Sequence, residues 1–154
     1  LDYDNEVLAQ LDYVIAAIHQ SFNQSEDEIM KRLEVACKNP YVRHIAHPTG
    51  RIIGRRPGYK PNIEKLMKLA EETNTILEIN ANPKRLDLNA ETVRKYPNVK
   101  LTINTDAHHT NHLEFMKYGV ATAQKGFVAK DRVVNALSRE EFKSLVENNI
   151  KLKK

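Results

Sequence analysis

Tryptophan is absent from this 154-residue sequence, and cysteine occurs once, at Cys37. A single cysteine excludes an internal disulfide framework, and it excludes zinc sites built from two or more thiolates. It fits a reducing, intracellular compartment, so a cytoplasmic location is expected. Set in a helical pattern, Cys37 reads as a structural thiol. No apolar run approaches the roughly 20 residues that a membrane helix requires. No basic-then-apolar leader opens the sequence either, and no membrane partner is expected. With only 5 glycines and 6 prolines, linker-rich or low-complexity organisation is excluded.

What is present has the composition of a globular protein, 41% hydrophobic and 29% charged. The length suits one domain with a single core, spanning 1–154. The net charge of +4 is compatible with a nucleic-acid partner but does not establish one. The chain has no N-terminal methionine, and a helix-like stretch without an evident cap lies in its first ten residues. It reads as a chain entered part-way through a domain.

Strand and helix patterns alternate along the sequence. Residues 11–18, "LDYVIAAI", form a short apolar strand pattern running into His19. Ser25 is a candidate N-cap with Glu28 at the capping-box position, and Asn39-Pro40 ends that helix. "YVRHIAH" (41–47) is a second strand ending at His47, followed by the Gly- and Arg-rich loop 48–61. A helix over 62–73 precedes a third strand, "TILEIN" (75–80). Asn89 caps a short helix, and a fourth strand (99–104) runs into "NTDAHHT". Further helices are expected over "NHLEFMKYG", closed by Gly119, over "KDRVVNAL", and over a segment capped by Ser138 and Glu141. Alternation of this kind predicts an α/β fold with parallel strands and helical crossovers.

The ends of these strands carry the chemistry. His19, His47, Asn80 with Glu78, and Asp106 with His108 each stand at a C-terminal strand end, where β/α barrels build their sites. A lone histidine at such a place is usually a satisfied core residue, but four aligned strand ends favour a shared cation pocket. Imidazole and carboxylate suit zinc, manganese and iron. On an extended backbone Asp106 and His108 point to one side, and His109 points to the other. His44, His109 and His112 are read as non-ligating, with His44 packing or hydrogen bonding and His112 on the surface. In "GRIIGRRPG", Arg51, Arg55 and Arg56 follow His47 closely and suit a phosphate-bearing substrate, although a solvated loop is the plainer alternative. Lys84 and Arg85 form a second cationic pair near the same face.

In order, "AIHQSF", "AHPTGR", "LEINANPKRLDL" and "NTDAHH" resemble the C-terminal part of a polymerase-and-histidinol-phosphatase (PHP) domain, in the wording found in bacterial family X DNA polymerases. The resemblance covers nearly the whole chain. It implies the C-terminal part of a distorted seven-stranded β/α barrel and a phosphoesterase centre for up to three divalent ions, manganese or zinc. His19 and His47 would help hold one ion, Asp106 a second and His108 a third. Arg51, Arg55, Asn80 and Arg85 are the candidate substrate-binding residues, and no general acid or base is identified. The implied activity is metal-dependent 3′–5′ exonuclease and DNA end processing within a repair polymerase, with DNA and a polymerase domain as partners.

The family's opening HxH motif, the His and Asp after it and its bridging Glu are not in this sequence. The expectation is therefore a fragment lacking its N-terminal metal motifs, binding metal weakly and nearly inactive alone. Its uncovered sheet edge would favour dimerisation or strand swapping. A small-molecule phosphatase of the histidinol-phosphatase type, and a non-catalytic structural or DNA-docking module, are the other readings.

Overall fold

The computed structural model describes residues 1–153, with side chains through residue 147. After the short helix α1 (Asn5–Leu8) come β1 (Val14–Ala16), α2 (Glu26–Lys38), β2 (Val42–Ile45) and α3 (Ile63–Glu72). Then follow β3 (Ile76–Asn80), α4 (Ala90–Lys95), β4 (Leu101–Asn104), α5 (Met116–Lys125) and α6 (Arg139–Lys153). The strands form one parallel four-stranded sheet in the order β1-β2-β3-β4. The α/β class and the parallel pairing follow the sequence reading.

Local sequence sets the helix starts. The Ser25 side chain accepts from the Glu28 backbone N–H while the Glu28 carboxylate accepts from the Ser25 N–H, closing a capping box on α2. Glu26, Asp27 and Glu28 also place negative charge at the positive end of the helix dipole. Asn62 and Asn89 cap α3 and α4 one way, their side chains accepting from the Lys65 and Thr92 N–H groups, and Ser138 and Glu141 form the expected reciprocal pair. The helix-like stretch near the start does have a cap, because the Asp4 carboxylate accepts from the Val7 N–H.

Every residue of β2 and β3 is buried, the polar Arg43, His44, Glu78 and Asn80 among them, and those four therefore take hydrogen-bond partners inside the fold. Ile29, Leu33 and Cys37 of α2 and Leu66, Met67 and Ala70 of α3 pack with Ile45, Leu77 and Ile79 of the sheet. The two sheet edges differ. Along β4, Val133 makes a parallel bridge to Leu101, and the Asn135 side chain accepts from Ile103 N–H at 3.1 Å and donates to Ile103 C=O at 2.7 Å. An amide side chain thus completes the ladder, and "KDRVVNAL" forms two 3₁₀ turns, Lys130–Arg132 and Val134–Ala136, instead of the expected helix. Along β1, among the described residues, no strand covers the outer edge. Ile15 there is 53% exposed and lines an open cleft of about 740 Å³ between β1, α2 and the first residues of the chain.

The region after β4 departs from expectation twice. Residues Thr110–Phe115 are a 3₁₀ turn that leads into α5, and α5 continues through Gly119 to a cap at Gly126. Gly119 instead lets α5 approach the sheet, because a Cβ there would collide with the Ile103 and Ala81 side chains.

Candidate functional site

Register brings His19 and His47 together. Ala16 of β1 pairs with Ile45 of β2, and each strand turns outward just beyond that pair, so His19 and His47 meet above the sheet end. Their Nε2 atoms lie 3.2 Å apart with the rings inclined at 55°. His19 is exposed, whereas His47 is 5% exposed. Burial, followed by the positive charge of Arg85, pushes the His47 imidazole down to about 4, so it is neutral at pH 7.

His47 sits at φ 32°, a left-handed conformation that a non-glycine residue adopts only when its surroundings hold it there. Its N–H donates to Glu78 Oε2 at 2.7 Å. Its carbonyl accepts from Gly50 N–H at 2.8 Å and from the Tyr59 hydroxyl at 3.3 Å. One residue past Pro48, the Thr49 N–H donates to Asp87 Oδ2 at 2.9 Å. Glu78 also accepts from Asn80 Nδ2 and from Asn104 Nδ2, each at 3.0 Å. Burial pushes the Glu78 carboxyl up, and these donors pull it back toward the ionised form. The sequence places Glu78 at its strand end, but its clamp on His47, and the parts played by Tyr59, Asp87 and Asn104, depend on partners distant in the chain. A carboxylate inside the apolar run "TILEIN" was the available signal.

Asp106 and His108 are adjacent, though not by strand alternation. β4 ends at Asn104, and Asp106 has φ 52°, so the chain turns sharply there. The His108 Nδ1–H donates to the Asp106 carbonyl at 2.8 Å and lies 3.8 Å from the Asp106 carboxylate. With Nδ1 engaged as donor, a neutral His108 keeps its lone pair on Nε2, and its side chain is 77% exposed. His109 caps the following turn by accepting from the Asn111 N–H at 3.3 Å. His112 is only half exposed; it stacks on Phe115 and accepts from the His108 N–H at 3.2 Å, so it braces this loop and is not a bare surface residue. His44 is buried and hydrogen bonded to the Thr102 hydroxyl at 2.9 Å.

The cationic residues divide in their roles. Arg51 Nε donates to the Arg85 carbonyl at 2.7 Å, and its Nη2 donates to the Leu86 carbonyl, so Arg51 braces the loop that carries Arg85. Arg56 lies over the Phe22 ring at 4.0 Å and donates to Gly50 O at 2.9 Å. Arg55 is exposed. Asn80 is fully buried, and its polar atoms are engaged by Glu78 and by the Asn82 N–H, which turns it away from any substrate. Arg85 Nε donates to Asp106 Oδ2 at 2.9 Å. Asp106 and Arg85 both lie within electrostatic reach of His47.

This cluster fits a divalent ion in part. Two nitrogen ligands about 2.1 Å from one ion, at right to tetrahedral angles, stand about 3.0–3.4 Å apart, and the His19–His47 separation of 3.2 Å falls within that span. Among the described residues, however, no group of three or more His, Cys, Asp or Glu side chains is assembled around one point. The cluster thus offers two facing imidazole nitrogens, from His19 and His47, while the Asp106 carboxylate is engaged by Arg85. Also among the described residues, no helix is long and apolar enough to cross a membrane.

No family model matches the chain. It is 53% identical, over 97% of its length, to the DNA polymerase/3′–5′ exonuclease PolX of Bacillus subtilis, of which it spans 26%. It is 28% identical, over 88% of its length, to a probable phosphatase of Thermoanaerobacter sp. strain X514, of which it spans 57%. A probable phosphatase of Caldanaerobacter subterraneus is 39% identical over 52% of this chain and is spanned to 30%. The chain thus spans about a quarter of the polymerase and little more than half of the first phosphatase.

Proposed function

Because the chain belongs to the PHP family, in the form found in bacterial family X DNA polymerases, we propose that it forms part of a metal-dependent phosphoesterase centre that trims DNA 3′ ends within a repair polymerase. The observation that carries this reading is the meeting of two Nε2 atoms at one point, on the sheet end that also presents Asp106 and His108. Two imidazoles facing each other nitrogen to nitrogen make at best one mutual hydrogen bond, whereas one cation satisfies both lone pairs.

A bound manganese or zinc ion would supply a Lewis acid and an activated water near neutral pH. The chain's own residues do the rest. His19 and His47 would hold the ion, and Glu78, Tyr59 and Asp87 fix the backbone from which His47 projects. His108, with its Nε2 lone pair facing outward, and Asp106 are the next donors toward further ions, up to three in a full centre. Arg85 and the exposed Arg55 supply positive charge for the phosphodiester backbone.

With only two facing donors assembled, turnover by these 154 residues is expected to be slow. The test is release of nucleotide from a recessed 3′ DNA end in manganese. Slow release that a chelator stops, and that His47→Ala removes, supports the reading. Release that persists in the chelator or in His47→Ala contradicts it. A second reading, hydrolysis of a small phosphomonoester, is favoured by the relatives described as probable phosphatases. Faster hydrolysis of histidinol phosphate than of the DNA end would select it.

A further inference from the structure

We propose that Phe127 and the cations around it form a docking patch for single-stranded DNA, at the end of the sheet opposite His19 and His47. The patch needs no metal, and only the choice of DNA among polyanions leans on the phosphoesterase reading. α4 and α5 run back from the C-terminal ends of β3 and β4, so their own last turns lie at the other end of the sheet. Just past Phe127, Val133 bridges to Leu101, the first residue of β4. Arg132 ties this loop down, donating to Tyr96 O at 2.8 Å and to Val99 O at 3.1 Å.

Phe127 is held outward at a cost. It is 74% exposed and sits at φ 53°. Its N–H donates to Gln124 O and the Val128 N–H donates to Ala123 O, each at 3.0 Å, the pattern that closes a helix through one left-handed residue. Glycine is the usual occupant of such a position. Here Gly126 stands one place too early, where a Cβ would strike Val93 and the Ala90 carbonyl. That glycine serves the approach of α5 to α4, and a bulky aromatic is left in the strained conformation. A strained, water-facing ring adds little to the core, but it offers a surface to a partner.

The surroundings say which partner. The Arg94 guanidinium lies over the Phe127 ring at 4.8 Å, and the high exposure of the ring leaves its other face open. Next along α4, the Lys95 ammonium is 5.4 Å from the Tyr96 ring centre. Lys125 and Lys130, both exposed, flank Phe127 in the chain. The acidic neighbours are Glu91 and Asp131, and Glu64 near Lys95 is paired with Lys68. Cations therefore prevail, interleaved with aromatic rings. Single-stranded DNA uses both features, because its bases stack on rings while its phosphates meet cations. An acidic peptide would use the charges alone.

Tryptophan is absent from the sequence, so Phe127→Trp supplies a single reporter. In chelator, an oligothymidylate of about ten nucleotides is expected to quench its emission as bases stack on it. Arg94→Gln in that background should weaken the titration about fivefold and flatten its log–log salt slope by about 0.7. Without the reporter, Phe127→Gly should bind a labelled oligothymidylate at least about fivefold more weakly by anisotropy. Its urea midpoint should be no lower than that of the unmodified chain, because glycine suits the left-handed position. A lowered midpoint would make Phe127 structural and overturn the proposal. Emission that never changes, or full-strength binding by Phe127→Gly, overturns the patch and leaves the phosphoesterase reading untouched. Equal quenching by polyglutamate overturns it as well and assigns the surface to an acidic protein segment. Quenching by the oligothymidylate, with no chelator-sensitive nucleotide release in manganese, supports the patch and overturns the phosphoesterase reading.

Discussion

The Nε2 atoms of His19 and His47 stand 3.2 Å apart although 28 residues separate them in the chain. Parallel pairing of β1 with β2 produces that meeting, and the clamp on the His47 backbone preserves it. The site's precision therefore depends on groups that touch no substrate.

Glu78 is the clearest of these. Glu78→Ala leaves the buried His47 N–H and the buried Asn80 amide without their acceptor and removes one of the two acceptors of the half-buried Asn104 amide. A loss of about 2–4 kcal/mol of folding stability is expected, read from urea unfolding. Glu78→Gln keeps one carbonyl oxygen and should lose about half as much. A cost below about 0.5 kcal/mol for the alanine variant would show that His47 is held by other means.

Gly119 sets two effects against each other. Alanine in a helix interior gains about 1 kcal/mol over glycine from propensity alone. Here the added methyl meets Ile103 and Ala81, so overpacking should outweigh that gain and Gly119→Ala should lose about 1–3 kcal/mol. A stabilised variant would mean that α5 can move off the sheet at little cost.

Acid should weaken the fold through His44. Burial, with the nearby charge of His47, holds His44 at about 4 against an ordinary 6.5. Above pH 6.5 neither the folded nor the unfolded ring is protonated, and His44 adds no pH dependence. Between pH 6.5 and 4 the unfolded chain takes up a proton that the folded chain refuses, so stability falls with pH by up to about 3 kcal/mol, and below pH 4 this contribution is level. Urea midpoints at pH 7, 5.5 and 4 measure the slope. His47, held at about 4 chiefly by its own burial, adds a slope of the same sign over the same window, so His44→Gln should remove about half of the total, and an unchanged slope would place the titration elsewhere.

The sequence made much of this legible because the relevant signals are local. Ser25 with Glu28, Asn62 and Asn89 are caps whose partners lie within three residues. Strand-end histidines could be read from where each apolar run stops. What escaped involves distant or context-bound partners. Gly119 looks like a helix stop until Ala81 and Ile103 are seen against it. Asn135 finishes the edge of β4 from 32 residues away, which is why its segment is not a helix. Arg85 and Asp106 lie on different loops, 21 residues apart, and no short-range pattern pairs them. The left-handed turn at Asp106 likewise defeats an argument from strand alternation, although it reaches the same pairing with His108.

The central claim is that His19 and His47 share one cation, and imidazole nitrogen NMR during a zinc titration tests it most directly. The account predicts that the Nε2 signals of His19 and His47 move together into the metal-bound range at one equivalent, while those of His44 and His109 stay in place. Movement of only one of the pair, or of His44 or His109 in their stead, would contradict it.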